Sequence, residues 1–511
     1  MTERPLLQPA ALAVLTLGLS LGTFMQVLDT SIANVSIPAI SGNLGVSPDD
    51  GTWVITSFAV SNAIALPLTG WLARRVGEVR LFVASVVLFT AASWLCGLST
   101  SFQELLAFRV IQGAVGGPMI PLSQSLLLAN YPAARKGLAL ALWSMTVVVA
   151  PILGPILGGT ITDTYSWPWI FYINIPVGIL SSLLVWQLLK DRETPTTHVP
   201  IDMVGLMLLV IGVGTLQVML DRGNDMNWFG SPQIVVLALV AGMALVYLVI
   251  WELTDPHPVI DLRLFAQRNF AVGTIVTSLG YLAFFAGVVI FPLWLQTDMG
   301  YTAEWAGFAA APIGILSVIL SPFVGQNMHR WDLRAIATLS FVIFAVVSFW
   351  TARFTTRTDF WQLIEPRVLQ GAAMATFFVP MVTISLSNLP PTQIASAAGL
   401  SNFIRLVAGS FGTSLSITLW SRRTTFHFAR LTEGFSNSNP PYVIRSHSLR
   451  ALGMTRTQAL GVLARSAHQQ AVLLATNDVF WVSGWLFLGL IALVWLAKPP
   501  FAAPQGQVAP D

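Results

Sequence analysis

The sequence predicts an all-α integral membrane protein with about fourteen transmembrane helices, and three observations lead to this fold class. Hydrophobic residues make up 55% of the 511-residue chain, and charged residues only 10%. A water-soluble domain carries roughly 25% charged residues, so this chain has too few to cover a globular surface. Long apolar runs follow one another along the chain, and one decapeptide recurs in both halves.

Composition also excludes several classes of function. The net charge is +3, and basic residues of a membrane protein mainly set its orientation and contact anionic lipid headgroups, so we predict no nucleic-acid partner. The single cysteine, Cys96, lies in an apolar run and predicts helix packing rather than a disulfide. The sequence contains no phosphate-binding Gly-Lys-Ser/Thr loop and no metal-ligand spacing. We therefore predict a protein that is not an enzyme, uses no ATP and holds no metal or cofactor.

The apolar runs define the predicted helices in order, since each span needs about 20 mostly apolar residues. Six helices form a first group, two more an inserted pair, and six a last group. They cover residues 11–33, 52–73, 81–98, 105–128, 138–160, 168–189, 203–220, 233–251, 270–295, 304–325, 334–352, 361–387, 398–421 and 477–496.

The distribution of Lys and Arg predicts the orientation. With both termini in the cytoplasm, most basic residues between the helices fall on the cytoplasmic side, including Arg135 and Lys190. The short loops of the opposite side then hold only Arg222, Arg353 and Arg357. Because cytoplasmic loops of membrane proteins are enriched in Lys and Arg, we predict a multi-pass protein of the cell inner membrane with both termini inside.

An internal repeat predicts two parallel halves. The segment Leu105–Ala114, with Arg109, Gln112 and Gly113, recurs as Leu363–Ala372, with Arg367, Gln370 and Gly371 at the same offsets. Each copy begins the fourth helix of its six-helix group, as expected for duplicated bundles around a central pathway. The predicted units are residues 1–190 (first bundle), 191–262 (two extra helices), 263–421 (five helices of the second bundle), 422–476 (periplasmic loop) and 477–511 (last helix and cytoplasmic tail).

The predicted loop 422–476 is the largest polar segment. It contains seven arginines and one acid, Glu433, and its part near 455–474 has the pattern of an amphipathic helix. Two interpretations remain open: a simple tether between helices, or a docking surface for a partner outside the membrane.

The first predicted helix carries the candidate proton carrier. Ionisable groups at membrane depth cost roughly 2.5–3.5 kcal/mol on insertion scales, so Asp29 requires a reason for its position. Gln26, Thr30 and Asn34 form a polar stripe beside it, which predicts that this face lines the bundle interior. We predict Asp29 as a proton-coupling residue; the alternative is a carboxylate held by a neighbour for structure. Together with Gln112 and Gln124, the stripe is predicted to line the substrate cavity.

Three arginines lie at or near membrane depth. Arg109, one turn into the fourth helix, stays charged and cannot relay a proton itself, so its predicted role is to bias a carboxylate's proton affinity. The alternative is an arginine that snorkels to the membrane surface. Arg367 follows Glu365 and Pro366, which predicts a place nearer the surface. Arg405 is a candidate gate or a lipid contact.

Two further motifs predict packing and conformational change. The fifth helix contains Gly154, Pro155, Gly158 and Gly159, which favour a kinked helix with a closely packed small-residue face. The turn after the second helix contains Gly70, Arg74, Arg75, Gly77 and Glu78. This turn either forms salt bridges that latch one conformation or serves only to fix topology.

Together these motifs resemble the fourteen-helix drug:proton antiporters of the major facilitator superfamily. The resemblance covers residues 10 to 500 and is carried by residues 28–35 (Leu-Asp-Thr-Ser-Ile-Ala-Asn-Val), 109–113 (Arg-Val-Ile-Gln-Gly), 154–159 (Gly-Pro-Ile-Leu-Gly-Gly) and 167–176 (Trp-Pro-Trp-Ile-Phe-Tyr-Ile-Asn-Ile-Pro). It implies the major facilitator fold, with two six-helix bundles plus two extra helices. One departure is that Arg74 and Glu78 stand where the superfamily pattern has an acid and an arginine.

The resemblance implies proton-coupled export of hydrophobic or amphipathic drugs by alternating access. It also implies a periplasmic membrane-fusion adaptor and an outer-membrane channel as partners, which together form a tripartite pump. A proton-coupled importer of a small organic solute shares the fold and is the main alternative. A membrane enzyme or channel would need a catalytic set or a pore repeat, and the sequence shows neither.

Overall fold

The computed structural model describes residues 7–132, 135–197, 200, 202–256, 258–328, 330–436 and 439–501. Within these ranges the secondary structure is helical and contains no strand. Thirteen helices are long and apolar enough to cross a membrane, and a fourteenth qualifies when its two bent parts count as one span. The predicted fold class is confirmed. The boundaries of the five predicted units stay predictions, and residues 1–6 and 502–511 of the outer units lie outside the described ranges.

The fourteen spans follow the predicted runs closely. In chain order, α1 to α14 are Pro9–Leu44, Trp53–Val76, Glu78–Leu98, Phe102–Asn130, Lys136–Thr164, Trp169–Leu189, Met203–Arg222, Pro232–Thr254, Arg268–Thr297, Glu304–Asn327, Leu333–Thr351, Phe360–Leu386, Pro391–Glu433 and Arg456–Val494.

Local sequence signals place several helix ends. α1 stops at Gly45, whose φ of 68° is the left-handed conformation that commonly follows a helix. α12 and α14 each begin with a capping box, formed by Asp359 with Gln362 and by Thr455 with Gln458. In each box two side chains satisfy backbone N–H groups that the first helical turn leaves unpaired.

The two bundles are built from equivalent helix pairs. In the first, α1 packs on α5 and α6, α2 on α4, and α3 on α4 and α6. In the second, α9 packs on α13 and α14, α10 on α12, and α11 on α12 and α14. These are the same pairs displaced by eight helices, as expected if the chain contains two copies of one bundle and an inserted pair, α7 and α8.

The bundles meet mainly where α2 and α4 pack on α13 and where α5 packs on α10 and α12. Close packing occurs at the end where α1 starts and α2 stops, which we call the inner end. There Gly70 lies against Ser396, with no room for a Cβ atom, and Gly399 lies against the backbone carbonyl of Leu66. In this conformation the inner end of the space between the bundles is therefore closed.

The inserted helices lie beside the seam between the bundles. α7 packs on α8, and also on α2 of the first bundle and α13 of the second. Gln217 of α7 donates a hydrogen bond to Ser410 of α13 over 3.0 Å. Most of α8 faces outward: in its most apolar stretch of 18 residues, only 22% is buried within the protein. The inserted pair thus contacts both bundles along one side.

The predicted periplasmic loop is largely helical, which corrects the expectation of a loop for residues 422–476 and confirms the helix predicted near 455–474. α13 continues to Glu433, a tip helix covers Pro440–Ala451, and α14 already begins at Arg456. The two long helices are held together by side chains: Trp420 donates to Thr476 over 2.9 Å, and both Arg423 and His427 contact Asp478. We call residues 422–476 the helical hairpin.

Candidate functional site

The candidate site centres on Asp29, which α1 places inside the first bundle with no solvent exposure. Its carboxylate accepts hydrogen bonds from two other helices. Arg109 Nη1 donates to Oδ2, and Gln112 Nε2 and Asn174 Nδ2 donate to Oδ1 over 3.1 and 3.0 Å. The alternative of a carboxylate held by its neighbours therefore describes this conformation, and a role in proton coupling requires that these bonds break during transport.

Arg109 is the cation of the site and is also fully buried, so it does not snorkel to the surface. Its Nε donates to the backbone carbonyl of Val54 over 2.9 Å, and its Nη1 also donates to Gln112 over 2.7 Å. The guanidinium carbon lies 4.3 Å from the ring centroid of Phe58 and 5.6 Å from that of Phe171. Ring faces and hydrogen bonds thus fix the guanidinium next to the carboxylate.

Ser93 and Asn174 also belong to the site, and the sequence analysis did not predict either as a site residue. Ser93 of α3 accepts hydrogen bonds from Gln112 over 2.7 Å and from Asn174 over 2.8 Å. Both are polar residues within apolar spans, and this is the sequence feature that could have predicted their role. Cys96 lies nearby, with its Sγ 3.7 Å from the Gln112 amide oxygen.

Protonation of Asp29 would change the charge balance of this buried arrangement. The Asp29–Arg109 pair is neutral as a whole, and burial of both charges is tolerable only because each is paired. If Asp29 takes up a proton, its attraction to Arg109 weakens, while the amides of Gln112 and Asn174 can still hydrogen-bond a neutral carboxyl. A protonation event would thus loosen the contact that ties α1 to α4.

The predicted cavity residues do not form one continuous surface. Gln26 is buried and its Oε1 has no hydrogen-bond partner among the described residues. Thr30 is half-buried and donates to the Val27 carbonyl, and Asn34 is exposed. Gln112 belongs to the Asp29 cluster. Gln124 lies between the bundles, where it accepts a hydrogen bond from Asn402 of α13 over 3.0 Å.

The two remaining arginines are both buried. Arg367 is 4% exposed, so the prediction of a near-surface position was wrong: α9 and α14 cover it with the rings of Phe291 and Phe480. Arg405 is 7% exposed and donates to Asn402 over 2.5 Å, on the closed inner end and not toward lipid.

The small residues of α5 pack against α1. The helix is bent by 47° between Pro151 and Ile156. Gly154 lies against Ser31 and leaves no space for a Cβ atom, and a Cβ on Gly158 would come within 2.8 Å of the Ile32 carbonyl oxygen. Gly159 faces open space, with its nearest neighbour at 4.0 Å, and the side chain of Pro155 lies outside the described part.

Latching salt bridges were one of the two roles predicted for the turn after α2, and none to Glu78 forms among the described residues; Arg80 Nε instead lies 3.9 Å from a carboxylate oxygen of Glu193. Glu78 is buried and accepts a hydrogen bond from Ser125 over 2.7 Å. Arg74 and Arg75 are exposed, and neither pairs with Glu78 in the part of the chain that the structure describes. Gly77 has a φ of 96°. Gly70 packs on Ser396 of α13 in the second bundle.

Two related six-helix bundles, fourteen apolar spans and a buried ion pair define the class: a multi-pass membrane transporter. The sequence matches the Major Facilitator Superfamily over residues 19–413, and the chain belongs to that superfamily.

Relatives and solved structures agree with this assignment. The chain is 53% identical to the "Multidrug export protein EmrB" of Escherichia coli (strain K12), with 99% of each chain covered. It is 49% identical to the "Fatty acid resistance protein FarB" of Neisseria gonorrhoeae, again over 99% of both chains. The fold resembles that of the human organic anion transporter MFSD10 (TM-score 0.58, 14% identity, 95% and 100% coverage). It equally resembles the proton:xylose symporter XylE (TM-score 0.58, 13% identity, 95% of each chain).

Proposed function

We propose that this protein exports hydrophobic or amphipathic drugs and toxicants across the cell inner membrane in exchange for protons. The names of relatives that are about half identical over almost the whole chain support the export of drugs. Both termini lie in the cytoplasm in this proposal, so the closed inner end faces the cytoplasm. The single observation that carries proton coupling is the buried Asp29 carboxylate with its ion-pair partner Arg109.

Transport proceeds by alternating access of the space between the bundles. With the inner end closed, Asp29 takes up a proton from outside, its bonds to α4 weaken, and the bundles rock to open the inner end. Substrate then enters along the face that carries Gln26, Thr30 and Asn34, and release of the proton to the cytoplasm restores the ion pair. The restored ion pair favours the conformation with a closed inner end, so the bundles rock back and the substrate leaves to the outside. Proton uptake and substrate release thus occur in one conformation, and proton release and substrate uptake in the other, which gives exchange.

Arg405 acts as the gate at the inner end. It donates to Asn402, whose amide donates in turn to Gln124 of the first bundle, so one chain of hydrogen bonds crosses the seam. Opening of the inner end must break this chain.

The helical hairpin docks a periplasmic adaptor, which leads to an outer-membrane channel in a tripartite pump. Its seven arginines against the single acid Glu433 suit an acidic partner surface. Replacing residues 436–454, the tip, by a short Gly/Ser linker should keep insertion and dye binding but abolish co-purification with the adaptor. Unchanged adaptor recovery would show that docking does not use the tip and relies on the long helices of the hairpin or on the membrane helices.

The central test is export of a fluorescent amphipathic dye from cells, or its uptake into inverted membrane vesicles, with and without a proton gradient. The Asp29→Asn variant should insert normally and bind dye, yet lose gradient-driven movement. Glu365→Gln, at an exposed acid of the second bundle, serves as the matched control. Gradient-driven export by the Asp29→Asn variant would place the proton carrier elsewhere, and movement of dye in the opposite direction would favour the importer.

A further inference from the structure

The segment that follows α6, residues 191–197, lies against the turn between α2 and α3, and we call it the strap. At the centre of this contact is Gly77, whose φ of 96° is strained for any residue with a side chain. The Glu193 carboxyl group occupies the space that a Cβ atom at position 77 would need. The turn is therefore shaped to receive this particular side chain.

The strap satisfies the first three backbone N–H groups of α3. Thr194 Oγ1 accepts from the amide of Glu78 over 3.0 Å. Glu193 accepts from the amides of Val79 and Arg80 over 3.0 and 2.8 Å, one with each carboxylate oxygen. A carboxylate at a helix N-terminus is stabilised both by these hydrogen bonds and by the helix dipole. The acid that caps α3 thus comes from outside the turn, since Glu78 itself is directed to Ser125.

The strap and the residues just after it hold the last turn of α2. The Thr197 amide of the strap donates to the Arg74 carbonyl over 2.8 Å, and Trp71 Nε1 donates to the carbonyl of Pro200, three residues beyond the strap, over 3.2 Å. These two residues of α2 closely follow Gly70, which packs on Ser396 of the second bundle at the closed inner end. The strap therefore grips α2 within about one turn of the contact that must separate when the inner end opens.

We propose that Glu193 is a positioning residue for transport: through the strap it holds the inner end of α2 against α13 and stabilises the conformation with a closed inner end. The chain continues from the strap into α7, which packs on α2 and on α13, so the inserted pair and the strap hold the same seam. This inference rests on the proposed alternating access.

The test measures opening of the inner end directly. Ala398, buried at the seam in the pocket beside Arg405, becomes a reporter as Ala398→Cys, and its reaction with an impermeant maleimide is followed in inside-out vesicles. The parent protein, with Cys96 buried, gives the background rate. Glu193→Gln should raise the labelling rate about tenfold, the factor set by one charge-assisted hydrogen bond. Asp191→Asn, the same charge change at an exposed position of the strap, should leave the rate unchanged.

Thr194→Val, which removes the acceptor for the Glu78 amide, provides a second variant and should also raise the rate. An unchanged or lower rate in correctly inserted Glu193→Gln or Thr194→Val protein would show that the strap only caps α3. Dye export is measured in parallel. If the unmodified protein shows no gradient-driven export, the proposed function fails; if it exports dye and the labelling rates do not differ, only the inference about Glu193 fails.

Discussion

The two bundles contain the same arginine clamp, but among the described residues only the first clamp includes a carboxylate, that of Asp29. In each, the arginine donates to the glutamine three residues later over 2.7 Å: Arg109 to Gln112, and Arg367 to Gln370. Each guanidinium also lies over two phenylalanine rings. In the first bundle α1 places Asp29 beside Arg109. In the second bundle the equivalent helix, α9, places Phe291 beside Arg367, with the guanidinium carbon 4.2 Å from the ring centroid.

Both clamps fasten helices together, and the first is in addition expected to couple transport to protons. The clamp fastens the fourth helix of each bundle to its neighbours, through the Val54 carbonyl in one case and the Thr351 hydroxyl in the other. In the described residues, Arg367 takes part in no ion pair, so the second clamp has no group that could gain or lose a proton near neutral pH. Proton coupling is therefore expected in the first bundle alone.

The largest contrast is expected when each arginine is replaced. Arg109→Met leaves the Asp29 charge buried and unpaired, which should cost about 3–5 kcal/mol of stability. Arg367→Met removes a buried cation that has no partner carboxylate among the described residues, so its cost should be much smaller. The denaturation midpoints of the two purified variants, with the parent as reference, measure this. Equal losses in both variants would mean that the ion pair contributes nothing beyond the shared clamp.

A second substitution should repair the first bundle. In Arg109→Met protein, the further change Asp29→Asn removes the unpaired charge and should recover most of the lost stability, about 2–4 kcal/mol. Transport stays absent, because the carboxylate is gone. The four proteins of this double-mutant cycle are compared by denaturation; strictly additive losses would contradict direct coupling between the two residues.

The shared part of the clamp should respond equally in both bundles. Gly113 lies against the Phe58 carbonyl of α2, and Gly371 against the Ile313 carbonyl of α10, with no space for a Cβ atom in either place. Gly113→Ala and Gly371→Ala should therefore each cost about 1–3 kcal/mol through overpacking. Gly242→Ala on α8, where nothing lies within 4 Å, is the control. A loss at only one of the two glycines would break the proposed equivalence of the bundles.

The smallest contrast concerns the glutamines. Gln112→Ala removes hydrogen bonds to Asp29, Ser93 and Arg109, whereas Gln370→Ala removes the one from Arg367. We expect losses of about 1–3 kcal/mol and about 1 kcal/mol, respectively. The sharper readout is gradient-driven dye export: it should fall in Gln112→Ala, because the Asp29 carboxylate loses one of its donors, and stay unchanged in Gln370→Ala. A loss of export in the second variant instead would move coupling to the second bundle.

The spans, and with them the fold, were predictable because the requirement for about 20 apolar residues is local to each helix. Asp29 and Arg109 were predictable as site residues because charge at membrane depth is costly. Their partners Ser93 and Asn174 were not, since the choice among many polar side chains depends on which helices pack together. The burial of Arg367 was missed for the same reason: Phe291 and Phe480, which cover it, are distant in sequence.

The helical hairpin was predicted only in part. The amphipathic pattern near 455–474 agrees with the start of α14 at Arg456, whereas the continuation of α13 to Glu433 and the tip helix Pro440–Ala451 were missed. Polarity predicted a loop there, but polar residues such as Arg and Gln continue a helix well once it has started. Thr455 and Gln458 start α14 before the apolar run begins, and Asp478 joins it to α13 through Arg423 and His427. A hydropathy pattern reports where a helix is buried in lipid and does not report where it ends.

Because α13 runs unbroken through the second bundle into this hairpin, it forms a lever. The helix extends 12 residues past its predicted apolar end at residue 421, roughly 18 Å at 1.5 Å per residue. A rigid rod that pivots near the membrane midplane displaces its far end in proportion to its length, so a small tilt of the bundle becomes a larger sideways stroke at the tip. If the bundles rock as proposed, the position of the hairpin tip would report the conformation of the pathway between them. Distances between spin labels at the tip and on α8, measured with and without a proton gradient, would give the length of that stroke.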